Sequence, residues 1–178
     1  MEGGSQLVVL VDENDRELGT EEKIKAHMNG GKLHRAISIF VINSNGETML
    51  QQRALSKYHT PGLWSNTCCS HPFPNESVLD AAHRRLKEEM GFDCEMKEAF
   101  SFIYKTPVGN GLTEWEYDHV IFGSYEGVAS PNPEEVADWR WVSFADLKRE
   151  VANDGSKFTP WLKIVLDRVI EYYNSAKR

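Results

Sequence analysis

The chain has 178 residues, 40% hydrophobic and 26% charged, with a formal net charge of −7. That is enough chain to bury one core and too little for two ordinary domains, with the composition of a soluble globular protein. The acidic balance excludes a phosphate-backbone binder such as a DNA or RNA protein, but leaves room for a small anion held by local cations.

The opening Met1-Glu2-Gly3-Gly4-Ser5-Gln6 has no basic start and no apolar run behind it, so it does not read as a signal peptide. No stretch approaches the ~18 apolar residues of a membrane span. Cys68, Cys69 and Cys94 are an odd set without disulfide-framework spacing, which implies reduced thiols and a cytoplasmic setting. A single domain over residues 1–178 is expected, with residues 1–5 flexible.

Gln6 to Asp12 reads as a strand. Thr20 is a candidate cap for a helix that runs to Met28, where Asn29-Gly30-Gly31 ends it. His27 and His34 flank that break; taken singly, each reads as surface or capping chemistry. Ala36 to Asn43 and Glu47 to Gln52 read as a strand pair joined by the hairpin signal Ser44-Asn45-Gly46. Arg53 and Lys57 follow, just upstream of Pro61-Gly62-Leu63-Trp64, so their charges can face the same cavity as the thiols beyond it.

Asn66-Thr67-Cys68-Cys69-Ser70-His71-Pro72 is a loop, and a charged helix opens at Glu76 or Ser77. Leu79, Ala82, Leu86 and Met90 form its expected buried stripe, Arg85 and Glu89 share another face, and Gly91 stops it. Phe100 to Tyr104 and Leu112 to Phe122 are strands around a turn at Pro107 to Gly111. Alternation puts Glu114, Glu116 and Asp118 on one face and Trp115 and Tyr117 on the other. Two glutamates side by side repel unless something compensates, and a divalent cation would do so. Glu134 to Val142 is a further strand, and Ser143 caps a helix over Phe144 to Ala152. Thr159-Pro160 starts a last helix whose inner face is expected to include Trp161, Ile164, Val165, Arg168, Val169 and Tyr172.

From Ser70 to Phe92 the residues resemble the Nudix box: glycine, five residues, glutamate, seven residues, then Arg-Glu-aliphatic-x-Glu-Glu-x-Gly-aliphatic. Glu76, Arg84, Leu86, Glu88, Glu89, Gly91 and Phe92 fall in register. Ser70 replaces the glycine, and Arg85 replaces a glutamate that would help hold the metal of pyrophosphate hydrolysis. Arginine there is suited to gripping phosphate. The resemblance implies an α/β (α+β) Nudix-type fold, a mixed central sheet between helices, in which hydrolysis is in doubt.

Three imidazoles, His27, His34 and His71, with Glu114 and Glu116, make a candidate five-ligand site. Its nitrogen and oxygen donors suit manganese, magnesium or zinc. A more specific resemblance then emerges. Lys23, His27, Lys32-Leu33-His34, Arg53-Ala54-Leu55-Ser56-Lys57, Pro61-Gly62-x-Trp64, Asn66 to Pro72, Glu114-x-Glu116 and Pro160-Trp161 stand in the order and spacing of the type I isopentenyl-diphosphate isomerases. Arg85 is also that family's state, and Cys-Cys-Ser-His-Pro is similar to a variant in many eukaryotic members.

The resemblance implies isomerisation of isopentenyl diphosphate to dimethylallyl diphosphate, with Cys69 and Glu116 as the acid/base pair and Tyr104 beside the acid. It implies Trp161 facing a carbocation, Glu89 holding a magnesium at the diphosphate, and Lys23, Arg53, Lys57 and Arg85 contacting phosphate oxygens. Cys69 would work as a thiolate, and the order of the two proton transfers is open at this level. The implied partner is this small molecule, without nucleic acid or membrane, and the implied state is a monomer. Two rival readings fit less of the sequence: a Nudix pyrophosphohydrolase on a nucleoside diphosphate derivative, which needs the acidic residue that Arg85 replaces, and a thiol- or metal-binding module, which explains neither the glutamates nor the cations.

Overall fold

The computed structural model describes residues 6–177. The expected flexible segment 1–5 lies outside them. The chain begins with an antiparallel hairpin of β1 (Leu7–Val11) and β2 (Glu17–Glu22). Asp12 turns it, its Oδ1 accepting from the N–H groups of Asn14 and Arg16 at 2.8 and 3.0 Å. Thr20 therefore pairs with Val9 inside β2 and does not cap a helix. The edge of β1 offers the backbone of Glu17–Glu22 a ladder, which outweighs a local cap, and helix α1 (Lys23–His27) is correspondingly short.

Strand β3 (His34–Ile42) is the centre of the sheet, and its apolar run is buried on both faces. β8 (Leu112–Ser124) pairs with it in parallel along its whole length, from His34 opposite Glu116 to Ile42 opposite Ser124. The other edge of β3 is shared by three strands. β1 meets it at His34, β6 (Cys68–Ser70) at Ile37 to Ile39, and β4 (Glu47–Arg53) at Ile42. The β3–β4 turn follows the sequence signal: Asn43 Oδ1 accepts from Asn45 and Glu47, and Gly46 takes a left-handed φ of 78°. The short β5 (Trp64–Ser65) and β9 (Val136–Ser143) line the two edges of β4, and β7 (Met96–Gly109) pairs with β8.

Alternation along β3 sorts its side chains into two cores. Ile37, Ile39 and Val41 meet Ala82, Leu86 and Met90 of α2 (Val78–Met90). Phe40 and Ile42 point the other way, toward Leu147 of α3 (Phe144–Asn153) and Leu162, Val165 and Val169 of α4 (Pro160–Ala176). The sheet thus lies between helices, as the sequence predicts. Two apolar positions differ, as does Arg168, which is exposed and lies over the rings of Phe100 and Phe102. Leu79 is 37% exposed, with Ala81 taking the buried position and Val78 packing on the core. Ile164 is 45% exposed, and Leu162 and Leu166 complete the inner face of α4. The helical stripe is wider than an every-third-or-fourth series drawn through one residue.

Helix α2 is fixed at both ends. Ser77 Oγ accepts from the Asp80 N–H at 3.1 Å, and Gly91 closes the helix in the left-handed region. A Cβ at Gly91 would also lie 2.1 Å from the Ser130 carbonyl oxygen, so glycine is required there by space as well as by φ.

Candidate active site

Register is what assembles the pocket. His34 and Glu116 are partners across β3 and β8, while Ser38 and Cys69 are partners across β3 and β6. The carboxylate and the thiol therefore come from strands flanking opposite edges of β3. Cys68 and Cys69, adjacent in β6, face opposite ways: Cys68 is sealed in the core beneath α2, and Cys69 lines the pocket.

The donor atoms of His27, His34, His71, Glu114 and Glu116 all lie within 4.8 Å of one another, and all five residues are buried. Their tautomers are prepared from behind. His27 Nδ1 donates to the Lys23 carbonyl at 2.6 Å and His34 Nδ1 to the Lys32 carbonyl at 2.7 Å, which leaves both Nε2 lone pairs turned inward. His34 Nε2 and His71 Nε2 stand 3.2 Å apart, and His71 Nε2 is 3.0 Å from Glu116 Oε1. Imidazole lone pairs and carboxylates converging without solvent are the chemistry of a divalent-cation site, and the residues fit one. Sequence alternation alone left Glu114, Glu116 and Asp118 readable as exposed acids; the structure buries all three.

Tyr104 donates its hydroxyl to Glu116 Oε2 at 2.6 Å, and burial holds its phenol well above the usual range. The Cys69 thiol donates to Asn66 Oδ1 at 3.0 Å and lies 3.8 Å from Ser38 Oγ. Burial, helped by Asp118, pushes this thiol up to about 12. Trp161 is fixed by its indole N–H, which donates to Ser65 Oγ at 2.9 Å.

At the other end of the pocket Arg85 bonds Glu89 at 2.5 Å and Glu88 at 2.7 Å, and stays cationic despite its burial. Glu89 also accepts from Gln51 Nε2 at 2.8 Å. Lys57 bridges to Glu135, which lies 3.7 Å from Arg85. Arg53 lies 5.4 Å from the Trp161 ring, and Lys23 5.7 Å from the Tyr58 ring. Every candidate catalytic, metal-ligating or substrate-binding residue named from the sequence lines this pocket or belongs to the five-donor cluster at its base. Sequence reading missed His59, Glu135 and the Ser38–Asp118 pair, which bonds at 2.7 Å. His59 sits in a loop without periodicity, and nothing short of the folded contacts points to it.

A NUDIX domain model matches residues 32–162. Among curated relatives, isopentenyl-diphosphate Delta-isomerase 2 of Aromatoleum aromaticum is 55% identical over 163 residues, covering 92% of this chain and 86% of that protein. The isopentenyl-diphosphate Delta-isomerase of Pectobacterium atrosepticum is 45% identical over 170 residues, with 96% and 94% covered. The chain belongs to the isopentenyl-diphosphate Delta-isomerase family. Solved structures show the fold of this isomerase family member at lower identity. DR0079 from Deinococcus radiodurans superposes with a TM-score of 0.76 at 18% identity, covering 91% of this chain and 98% of that one. The MutT protein from Methanosarcina mazei gives 0.65 at 16%, with 82% and 96% covered.

Proposed function

We propose that this chain isomerises isopentenyl diphosphate to dimethylallyl diphosphate, moving a C=C bond by protonation at one carbon and deprotonation at another in isoprenoid biosynthesis. The observation that carries the reading is the pairing of two proton-handling groups on strands flanking opposite edges of β3, with Arg85 where a hydrolase box has a glutamate.

An isolated alkene is a weak base, so its protonation needs a positioned acid in a dry site. Glu116 with Tyr104 is one of the two proton-handling groups and Cys69, bonded to Asn66, is the other, one acting as acid and one as base. Positioned groups of this kind contribute roughly 10²–10⁴-fold each. One group gives a proton to the alkene and the other takes one from the carbon nearer the diphosphate, so the pair's proton count is unchanged over a turnover. The indole face of Trp161 lies against the developing tertiary cation, a contact worth about 0.5–2 kcal/mol. Arg53, Lys57, Arg85 and Lys23 take the diphosphate, Lys57 and Arg85 exchanging carboxylate partners for phosphate oxygens.

The His27, His34, His71, Glu114 and Glu116 cluster would hold manganese, magnesium or zinc, and Glu89 a magnesium at the diphosphate. Bound there, such ions would sharpen the acidity at Glu116 and neutralise phosphate charge. The single small-molecule partner, with no nucleic acid or membrane, goes with the acidic chain. No helix among the described residues is long and apolar enough to cross a membrane. We take residues 1–178 as one domain that works as a monomer in the cytoplasm.

The test is incubation with isopentenyl diphosphate and Mg²⁺ in deuterated water, with the product followed by mass spectrometry. Allylic diphosphate one or more deuterons heavier is expected. Recovery of unlabelled, unreacted substrate would sink the assignment.

A further inference from the structure

His59 belongs to neither the five-donor cluster nor the cations, yet it is buried between them, in the loop from β4 to β5. Its Nδ1 faces Arg53 Nη2 at 3.4 Å and Thr60 Oγ1 at 3.2 Å. Its Nε2 lies 3.4 Å from Glu114 Oε1. Arg53 Nη2 also donates to the His59 carbonyl at 3.2 Å, so the guanidinium holds this residue at two points. The ring stands edge-on to Trp161, with centroids 5.9 Å apart at 81°.

These contacts decide the tautomer. A guanidinium has donors and no acceptor, so Nδ1 facing Arg53 is the lone-pair nitrogen and Nε2 carries the hydrogen. Nε2 thus faces Glu114 Oε1 at ion-pair distance, while the other oxygen, Oε2, lies 2.9 Å from His27 Nε2 inside the cluster. One carboxylate oxygen faces His59 from outside, and the other faces the cluster. The same imidazole touches the arginine assigned to the diphosphate.

We propose that His59 is a positioning residue that orients Glu114 for metal binding and ties that orientation to Arg53. The proposal rests on the reading of the five-donor cluster as a metal site, and not on the identity of the reaction. Outer hydrogen-bond partners of metal ligands typically carry about 10–100-fold in affinity. Glutamine at this position keeps one donor and one acceptor, whereas phenylalanine keeps only the ring against Trp161.

Metal-stripped protein is titrated with Co²⁺ alone, and binding is followed by its visible absorption. His59→Phe should weaken Co²⁺ binding roughly 10–100-fold, and His59→Gln should recover most of that loss. Arg53→Lys keeps the charge but loses the geometry, so it should weaken Co²⁺ binding in the parent protein and add nothing on top of His59→Phe. Equal affinity for the parent and His59→Phe would overturn the proposal, as would equal losses for the Phe and Gln variants, the pattern of a merely structural residue. A parent protein that binds no Co²⁺ would remove the metal reading itself, and the proposal with it. A second measurement needs no variant: ¹⁵N NMR of the histidine rings should show His59 as the Nε2–H tautomer, and the Nδ1–H tautomer contradicts the account.

Discussion

The two ends of the pocket are held in place by different means. At the histidine end, His27 and His34 are braced by main-chain carbonyls of Lys23 and Lys32, and His34 and Glu116 are set by strand register. The imidazoles are thus braced by the backbone of α1 and of the turn after it, and the carboxylate by the sheet. At the cation end, Arg85 and Lys57 are braced by the side-chain carboxylates of Glu88, Glu89 and Glu135. Such partners can be traded for phosphate oxygens when a diphosphate arrives. A rigid end suits proton transfer, where an ångström matters, and an exchangeable end suits gripping a polyanion. Substitutions at the first should strike kcat, and those at the second KM.

The largest effect is expected where the proton-handling groups sit. Cys69→Ala should lower kcat by at least about 10²–10⁴-fold. Cys68→Ala, one residue away but facing the α2 core, should keep most of the turnover and lose about 1 kcal/mol of stability. Steady-state kinetics with a denaturation curve for each variant checks both, and equal loss of turnover from the two would break the assignment of the thiol.

At the cation end, Arg85→Gln removes charge-assisted bonds of about 1.5–3 kcal/mol each. It should raise KM roughly 10–100-fold while kcat changes little. A collapse of kcat with KM unchanged would mean that the two ends do not divide the work in this way.

The smallest effect lies outside the pocket on the same helix. Arg84, the neighbour of Arg85, bonds Glu76 at 2.7 and 2.8 Å, and that hydrogen bond holds the Glu76 carboxyl below its usual value of 4.5. A depressed folded-state value stabilises fully above the unfolded value, and the gain is lost as pH falls through the folded one. Glu76→Gln should therefore cost roughly 0.5–1 kcal/mol at neutral pH and nothing in strong acid. Thermal melts across that range, with kcat at neutral pH as a control, separate this structural ion pair from the catalytic end of α2.

The sequence made much of this legible, for reasons visible in particular residues. Alternation put Glu114 and Glu116 on one face because a strand has period two, and Gly91 and Ser77 marked the ends of α2 because helix ends need those backbone and side-chain properties. Thr20 misled because strand pairing with Val9 competes with capping, a non-local term that local chemistry does not encode. Leu79 and Ile164 misled because the packing of neighbouring layers sets the width of a buried stripe. His59 was invisible because its partners Glu114 and Trp161 come from β8 and α4, far along the chain. The upward shift of the Cys69 thiol comes from burial, which no motif reports.

The central claim is that the box on α2 grips a diphosphate without cutting it, while the chemistry takes place at the alkene. Simultaneous ³¹P and ¹H NMR of isopentenyl diphosphate with the protein and Mg²⁺ tests it most directly. The account predicts that both phosphorus resonances of the diphosphate persist as the terminal alkene protons give way to an allylic signal. Release of orthophosphate or of a monophosphate ester, with the alkene protons unchanged, would contradict it.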